Sequence, residues 1–184
     1  QTDALGRSWL FDYDATGGLV SSVDPRGAII AYEYDAAGRL VGESSSAGQV
    51  THSYDEVGRR SSMVDPTGTT IFAYDSVGRL TRVSAPAGAL AYEYNTAGEQ
   101  IRMTQPSGTV SYQYDTIGQL DSITDWTGAS VSVDMDADGR ILALQRSNGV
   151  TSSYGYDSAG RLTTLEHRAA GNLVAGYDYL LDAS

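Results

Sequence analysis

Tyr74-Asp75-Ser76-Val77-Gly78-Arg79-Leu80 returns along the chain at steps of 20 or 21 residues, and that recurrence decides the fold. The other copies are Tyr13-Asp14…Gly17, Tyr34-Asp35…Gly38-Arg39-Leu40, Tyr54-Asp55…Gly58-Arg59, Tyr94-Asn95…Gly98, Tyr114-Asp115…Gly118, Met135-Asp136…Gly139-Arg140-Ile141 and Tyr156-Asp157…Gly160-Arg161-Leu162. Half a period away runs a second series: Asp24-Pro25-Arg26-Gly27, Asp65-Pro66-Thr67-Gly68, Ala85-Pro86-Ala87-Gly88 and Gln105-Pro106-Ser107-Gly108. Weaker members fill the gaps at Asp3–Gly6, Ser45–Gly48, Asp125–Gly128, Arg146–Gly149 and Ala169–Gly171. Together the two series hold 17 of the 21 glycines, so glycine here punctuates turns.

Each four-residue unit carries turn chemistry. Asp caps through its carboxylate, Pro presets φ at the second position, and Gly takes the left-handed conformation closed to other residues. A type I turn followed by a glycine bulge closes a hairpin. Between turns lie about six residues rich in β-branched and aromatic types, an ordinary strand length. A parallel crossover needs roughly a dozen residues and these connections have about four, so the chain reads as an all-β antiparallel meander of hairpins.

Aromatic residues come in pairs two apart: Phe11/Tyr13, Tyr32/Tyr34, Phe72/Tyr74, Tyr92/Tyr94, Tyr112/Tyr114, Tyr154/Tyr156 and Tyr177/Tyr179. Residues two apart share a strand face, so an aromatic ladder is expected across the sheet, each cross-strand contact contributing about 0.2–1 kcal/mol. Strict alternation fails elsewhere. Leu80 and Val83, or Leu120 and Ile123, fall on opposite faces by counting, which demands either a bulge or partial cover on both faces.

Composition excludes several classes. The chain of 184 residues has no Lys, no Cys, 12 Arg and 23 Asp plus Glu, a formal charge of −11 that repels nucleic acid and anionic membranes. Without cysteine there are no disulfides or thiolate metal sites. No stretch reaches the roughly 18 apolar residues of a membrane-spanning helix. Residue 1 is Gln, with no signal-peptide core behind it, so a chain processed or excised from a longer one is expected.

The recurrence of Tyr-Asp-x-x-Gly-Arg-Leu interleaved with Asp-Pro-x-Gly resembles the YD-repeat, or Rhs-repeat, family: bacterial Rhs proteins, Tc-toxin shell components, wall-associated repeat proteins and the teneurins. The resemblance covers essentially the whole chain, residues 1–184, as one segment of about eight hairpin repeats. It implies strands spiralling into part of a hollow shell or tube, longer than this chain, that is secreted or on the bacterial cell surface and encloses or displays a toxin or effector. Two alternatives stay open: a self-assembling tube or filament joined through its open sheet edges, and a surface adhesin binding glycan or protein. The partners implied are neighbouring YD repeats and an enclosed effector domain. The family's self-cleaving C-terminal core has no counterpart in these residues, so no autoproteolytic residue carries over.

No enzyme and no cofactor is expected. Asp134, Asp136 and Asp138 are the metal candidates, because Asp134-Met135-Asp136-Ala137-Asp138-Gly139 opens like an EF-hand loop. Position 12 is Gln145 instead of the bidentate Glu, and Gly139 is in step with every other repeat glycine, which weighs against a metal. His52 and His167 read as packing or surface residues, no serine lies in a Gly-x-Ser-x-Gly elbow, and no His-Asp pair recurs near one. Trp9 and Trp126 have the chemistry to stack on sugar rings, although covering a turn is the commoner use of such side chains.

Overall fold

A computed structural model describes residues 8–180. Among these there is no helix; seventeen strands follow one another as an antiparallel meander, each joined to the next by a tight reversal. Two compact units divide the chain, Gln1–Ala89 and Leu90–Ser184.

The first unit carries β1 (Leu10–Tyr13), β2 (Leu19–Val23), β3 (Ile29–Tyr34), β4 (Leu40–Ser45), β5 (Gly48–Tyr54), β6 (Arg60–Asp65), β7 (Gly68–Tyr74) and β8 (Leu80–Ala85). The second carries β9 (Gly88–Tyr94, from Leu90 on), β10 (Gln100–Gln105), β11 (Gly108–Tyr114), β12 (Leu120–Thr124), β13 (Ser130–Met135), β14 (Ile141–Arg146), β15 (Val150–Tyr156), β16 (Leu162–Ala169) and β17 (Asn172–Asp178).

The imperfect alternation is resolved by bulges. Phe72 pairs with Val83 while Tyr74 pairs with Leu80, so Thr81 is the extra residue, and Leu80 and Val83 stand on the same face. The same shift puts Leu120 opposite Tyr114 and Ile123 opposite Tyr112. It recurs beside the YD tyrosine at Glu33/Tyr34, Ser53/Tyr54 and Gly155/Tyr156. A bulge every second turn therefore restores a face that strict counting from the sequence breaks.

In the first unit that face gathers Tyr32, Tyr34, Leu40, His52, Tyr54, Met63, Phe72, Tyr74, Leu80 and Val83. The opposite face is rich in Ser and Thr, with Ser44, Thr51, Ser53, Ser62 and Thr69 in cross-strand register. The second unit repeats the division: Met103, Val110, Tyr112, Tyr114, Ile123, Val131 and Leu144 on one side, and Ser111, Ser122, Thr124, Ser130 and Ser132 on the other. Within the described residues there is no second layer, and the only buried side chains are Val110, Ser22, His52 and Ser152. Stability must come from neighbouring strands and turns rather than from a filled interior.

The turns fall into two kinds, where the sequence suggested one. In the YD series the bulged form holds: Asp55 N–H donates to Arg59 O (2.8 Å) and Gly58 N–H to Asp55 O (3.0 Å), with Gly58 at φ +86°. The reversals at Ser45–Gly48, Asp65–Gly68 and Gln105–Gly108 are tighter. Their first and last residues pair directly, two residues form the loop, and the glycine is more extended, at φ between +131° and +143°.

Candidate functional site

The recurring residues of the repeat converge on one interlock along the edge where the YD turns lie. Asp55 Oδ1 accepts the backbone N–H of Val57 (3.1 Å) and Arg59 (2.8 Å), which fixes the turn. Its Oδ2 takes the Arg59 Nε–H at 2.7 Å, which fixes the arginine. The held guanidinium then lies over the ring of Tyr74, the tyrosine of the next repeat, 4.7 Å from its centroid, and Nη1 reaches the Asp75 carbonyl at 3.4 Å. Tyr74 returns the contact by donating its hydroxyl to the Arg60 carbonyl at 2.9 Å. This turn is thus clamped to the following one by a cation over a ring and a hydroxyl on the backbone.

The same parts recur. Asp35 holds Arg39 (2.8 Å), Arg39 covers Tyr54 at 4.7 Å, and Tyr54 donates to Leu40 O at 2.6 Å. Asp136 holds Arg140, which covers Tyr156 at 5.2 Å, while Tyr156 donates to Ile141 O. Asp75 holds Arg79 and Asp157 holds Arg161. Gly38, Gly58, Gly78, Gly98, Gly118 and Gly160 all have φ between +76° and +94°. The sequence suggested ring-on-ring contacts; the rungs found here are arginine on tyrosine. The reason is spacing. Tyrosines of successive repeats sit two strands apart, about 9–10 Å, too far for rings to touch, and the arginine between them fills the gap.

Electrostatics follow the geometry. The Arg39 backbone N–H and guanidinium hold the Asp35 carboxyl below its ordinary range, and Arg140 does the same for Asp136. At Asp55 and Asp75 burial pushes upward, but the Arg59 and Arg79 hydrogen bonds outweigh it.

One repeat runs with its polarity altered. Asn95 replaces the Asp and Glu99 the Arg, and the pair survives as Asn95 Nδ2–H donating to Glu99 Oε2 at 2.6 Å. Asn95 Oδ1 still caps the turn through the Ala97 and Glu99 amides. Burial and the Glu99 carboxylate push the Tyr114 phenol above its ordinary pKa, and a negative charge stands where Arg39, Arg59 and Arg140 put a positive one. The substitutions are therefore coupled. Asn95→Asp alone is expected to destabilise by setting two carboxylates together, Glu99→Arg alone to stabilise by about 0.5–1 kcal/mol by restoring the cation over Tyr114, and the double variant to exceed the sum of the two. A double-mutant cycle in urea measures this; a coupling of zero would remove the interlock as an energetic unit.

The opposite edge is locked by different atoms. A Cβ on Gly48 would lie 2.6 Å from Pro66 Cγ, and one on Gly68 would lie 2.7 Å from Pro86 Cγ. On Gly108 it would collide with Cβ of Trp126. Pro66, Pro86 and Trp126, each the second residue of its turn, thus cover the glycine of the turn before.

The remaining candidates are placed as follows. Asp136 is committed to Arg140 and to two turn amides, Asp138 Oδ2 lies 3.3 Å from the same arginine, and Asp134 stands in β13 opposite Ala143. Among the described residues no group of three or more His, Asp or Glu is close enough to hold a metal. Trp9 stacks on Phe11 at 6.4 Å. His52 is buried, its Nε2 3.5 Å from Glu43 and its Nδ1 without a partner. What sequence reading missed is the contact between Ser152 and His167. Adjacent strands bring Ser152 Oγ to 2.9 Å from His167 Nδ1, but Ser152 is 0% exposed and also receives Arg146 Nη1–H, so its hydroxyl is committed and out of reach of a substrate, while His167 is half-buried. Only strand register reveals it, because the two lie 15 positions apart.

The family model described as RHS Repeat matches residues 18–51, 34–70, 54–90, 74–110, 94–130 and 136–173. A comparison with curated proteins gave no significant match. Among solved structures, the complex TcdB2-TccC3-TEV aligns with 95% of this chain at a TM-score of 0.76 and 16% identity. TcdB2-TccC3 without its hypervariable C-terminal region aligns with 88% at 0.57 and 23% identity, and the Tc holotoxin pore of Photorhabdus luminescens with 92% at 0.57 and 22% identity. At these identities the likeness concerns the fold, and this chain spans only 11%, 9% and 9% of those chains. With the family model covering most of its length, the chain belongs to the RHS-repeat family.

Proposed function

We propose that this chain is a wall segment of a longer shell that encloses or displays a toxin or effector, secreted from a bacterium or held at its surface, and that its role is architectural. The observation that carries this reading is the alignment of 95% of the chain with about a tenth of a Tc-toxin chain at a TM-score of 0.76. The physical chemistry supports it. Each interlock joins one repeat to the next, so wall length scales with repeat number without changing the local design. Sheet edges that would otherwise invite foreign strands are assigned to further repeats on either side.

The test is protease protection. The parent polypeptide, carrying its natural flanking sequence, is treated with trypsin before and after mild urea that opens the sheet. Survival of the downstream domain until the repeats unfold is the expected result; digestion at the rate of the free domain would discard the shell.

A further inference from the structure

The second unit has one polar cluster on its otherwise apolar face. Ile123, Val131 and Arg146 lie side by side in register on β12, β13 and β14, so a guanidinium stands in a row of aliphatic side chains. They line a cleft of about 250 Å³ together with Ala129, Ser147 and Asp125. At the far edge the cleft lies against the turns Asp125–Gly128 and Arg146–Gly149. Pro66, Pro86 and Trp126 cover Gly48, Gly68 and Gly108, whereas Ser147 follows Gly128 and nothing lies within 4 Å of a Cβ there, as is also the case at Gly27 and Gly149.

Arg146 is held but not neutralised. Its Nη1 donates to Ser152 Oγ at 2.9 Å, and Ser152, fully buried, is held in turn by His167 Nδ1 at 2.9 Å. No carboxylate among the described residues forms an ion pair with it, in contrast to Arg39, Arg59, Arg79, Arg140 and Arg161, each paired with the aspartate of its own turn. Asp125 shares the cleft, but its Oδ1 is occupied by the Thr127 and Ala129 amides and the Thr127 hydroxyl. A guanidinium has five N–H donors in a planar fork suited to a carboxylate, and one is used here.

We propose that this cleft binds a carboxylate on an aliphatic stem, namely an acidic side chain of a polypeptide segment lying on the apolar face. Arg146 takes the two oxygens, Ile123 and Val131 pack on the stem, and Ser152 is a positioning residue that aims the guanidinium. The inference deepens the shell reading by giving an enclosed chain a point of attachment. Its test uses the isolated segment, so failure of the shell and failure of the cleft are separable.

The probes are N-acetyl-leucyl-glutamate amide, its glutamine counterpart and isovalerate, followed through the Arg146 Nε–H resonance. Saturable shifts with the glutamate peptide and none with the glutamine peptide are expected, with isovalerate weaker than the glutamate peptide. Arg146→Gln should weaken glutamate-peptide binding by about tenfold or more, since a hydrogen bond to a charged group is worth roughly 1.5–3 kcal/mol. Ser152→Ala should weaken it by a smaller factor, with an unchanged circular dichroism spectrum. Equal response to the glutamate and glutamine peptides, or undiminished binding in folded Arg146→Gln, overturns the proposal. Isovalerate binding as tightly as the peptide overturns the polypeptide assignment in favour of a small acid.

Discussion

Gly108→Ala is expected to destabilise the second unit by about 3 kcal/mol or more, against about 1–2 kcal/mol for Gly128→Ala. Both glycines have positive φ, +143° and +85°, so both substitutions strain the backbone. They differ in space. Nothing lies within 4 Å of a Cβ on Gly128, whereas a Cβ on Gly108 collides with Trp126 Cβ. Because the obstructing atom belongs to the root of the side chain, Trp126→Ala keeps it and gives no rescue, so the penalty for Gly108→Ala persists in that background. Urea midpoints of the four variants check this, with hydrogen exchange of β10 to β13 to show that the loss is local. Equal costs at the two glycines would mean that the packing of one turn on the next carries no energy, and the opposite-edge lock would have to be abandoned.

That difference could not be read from the sequence, which writes both positions as the fourth residue of a turn. Period, strand count and antiparallel order were legible because glycine and aspartate mark every reversal and because short connections forbid parallel crossovers. The residues of the YD interlock were legible as a set, through the repeat itself. Their connections were not. A 20-residue period says that Tyr54 and Tyr74 are equivalent, but only the pairing of β5, β6 and β7 shows that a strand separates them and that Arg59 bridges the gap. The bulges were half legible: Leu80 and Val83 signalled a conflict, and the register supplied its resolution at Thr81. The contact of Ser152 with His167 gave no sequence signal, since neither residue belongs to the repeat.

The fold is also expected to fail in acid, sharply and below about pH 4. Nine turn aspartates, at 14, 24, 35, 55, 65, 75, 125, 136 and 157, have carboxyls held below their ordinary value. The Thr67 hydroxyl and Thr127 hydroxyl do this for Asp65 and Asp125, and the Ala28, Arg39 and Arg161 amides lead at Asp24, Asp35 and Asp157. A depressed folded-state value stabilises above the unfolded value, about 3.9, and that contribution is lost as pH falls through the folded value. Stability should therefore be level from neutrality to about pH 5 and decline below about pH 4, with the unfolded chain binding more protons than the folded one at each of the nine turns. Protonation has two effects at once. It weakens the acceptor that fixes the turn, and at Asp35, Asp55 and Asp136 it releases the arginine from its place over the next tyrosine, so the loss passes from repeat to repeat. Near the sequence pI of about 4.4 the net charge of −11 has vanished, and freshly opened apolar faces have nothing to keep them apart. Chains opened by urea near pH 4.4 are thus expected to precipitate at low salt, while urea unfolding at pH 7 stays soluble. A urea midpoint unchanged between pH 7 and pH 3 would show that the aspartates cap turns without contributing to stability, and would leave the glycines alone to hold the reversals.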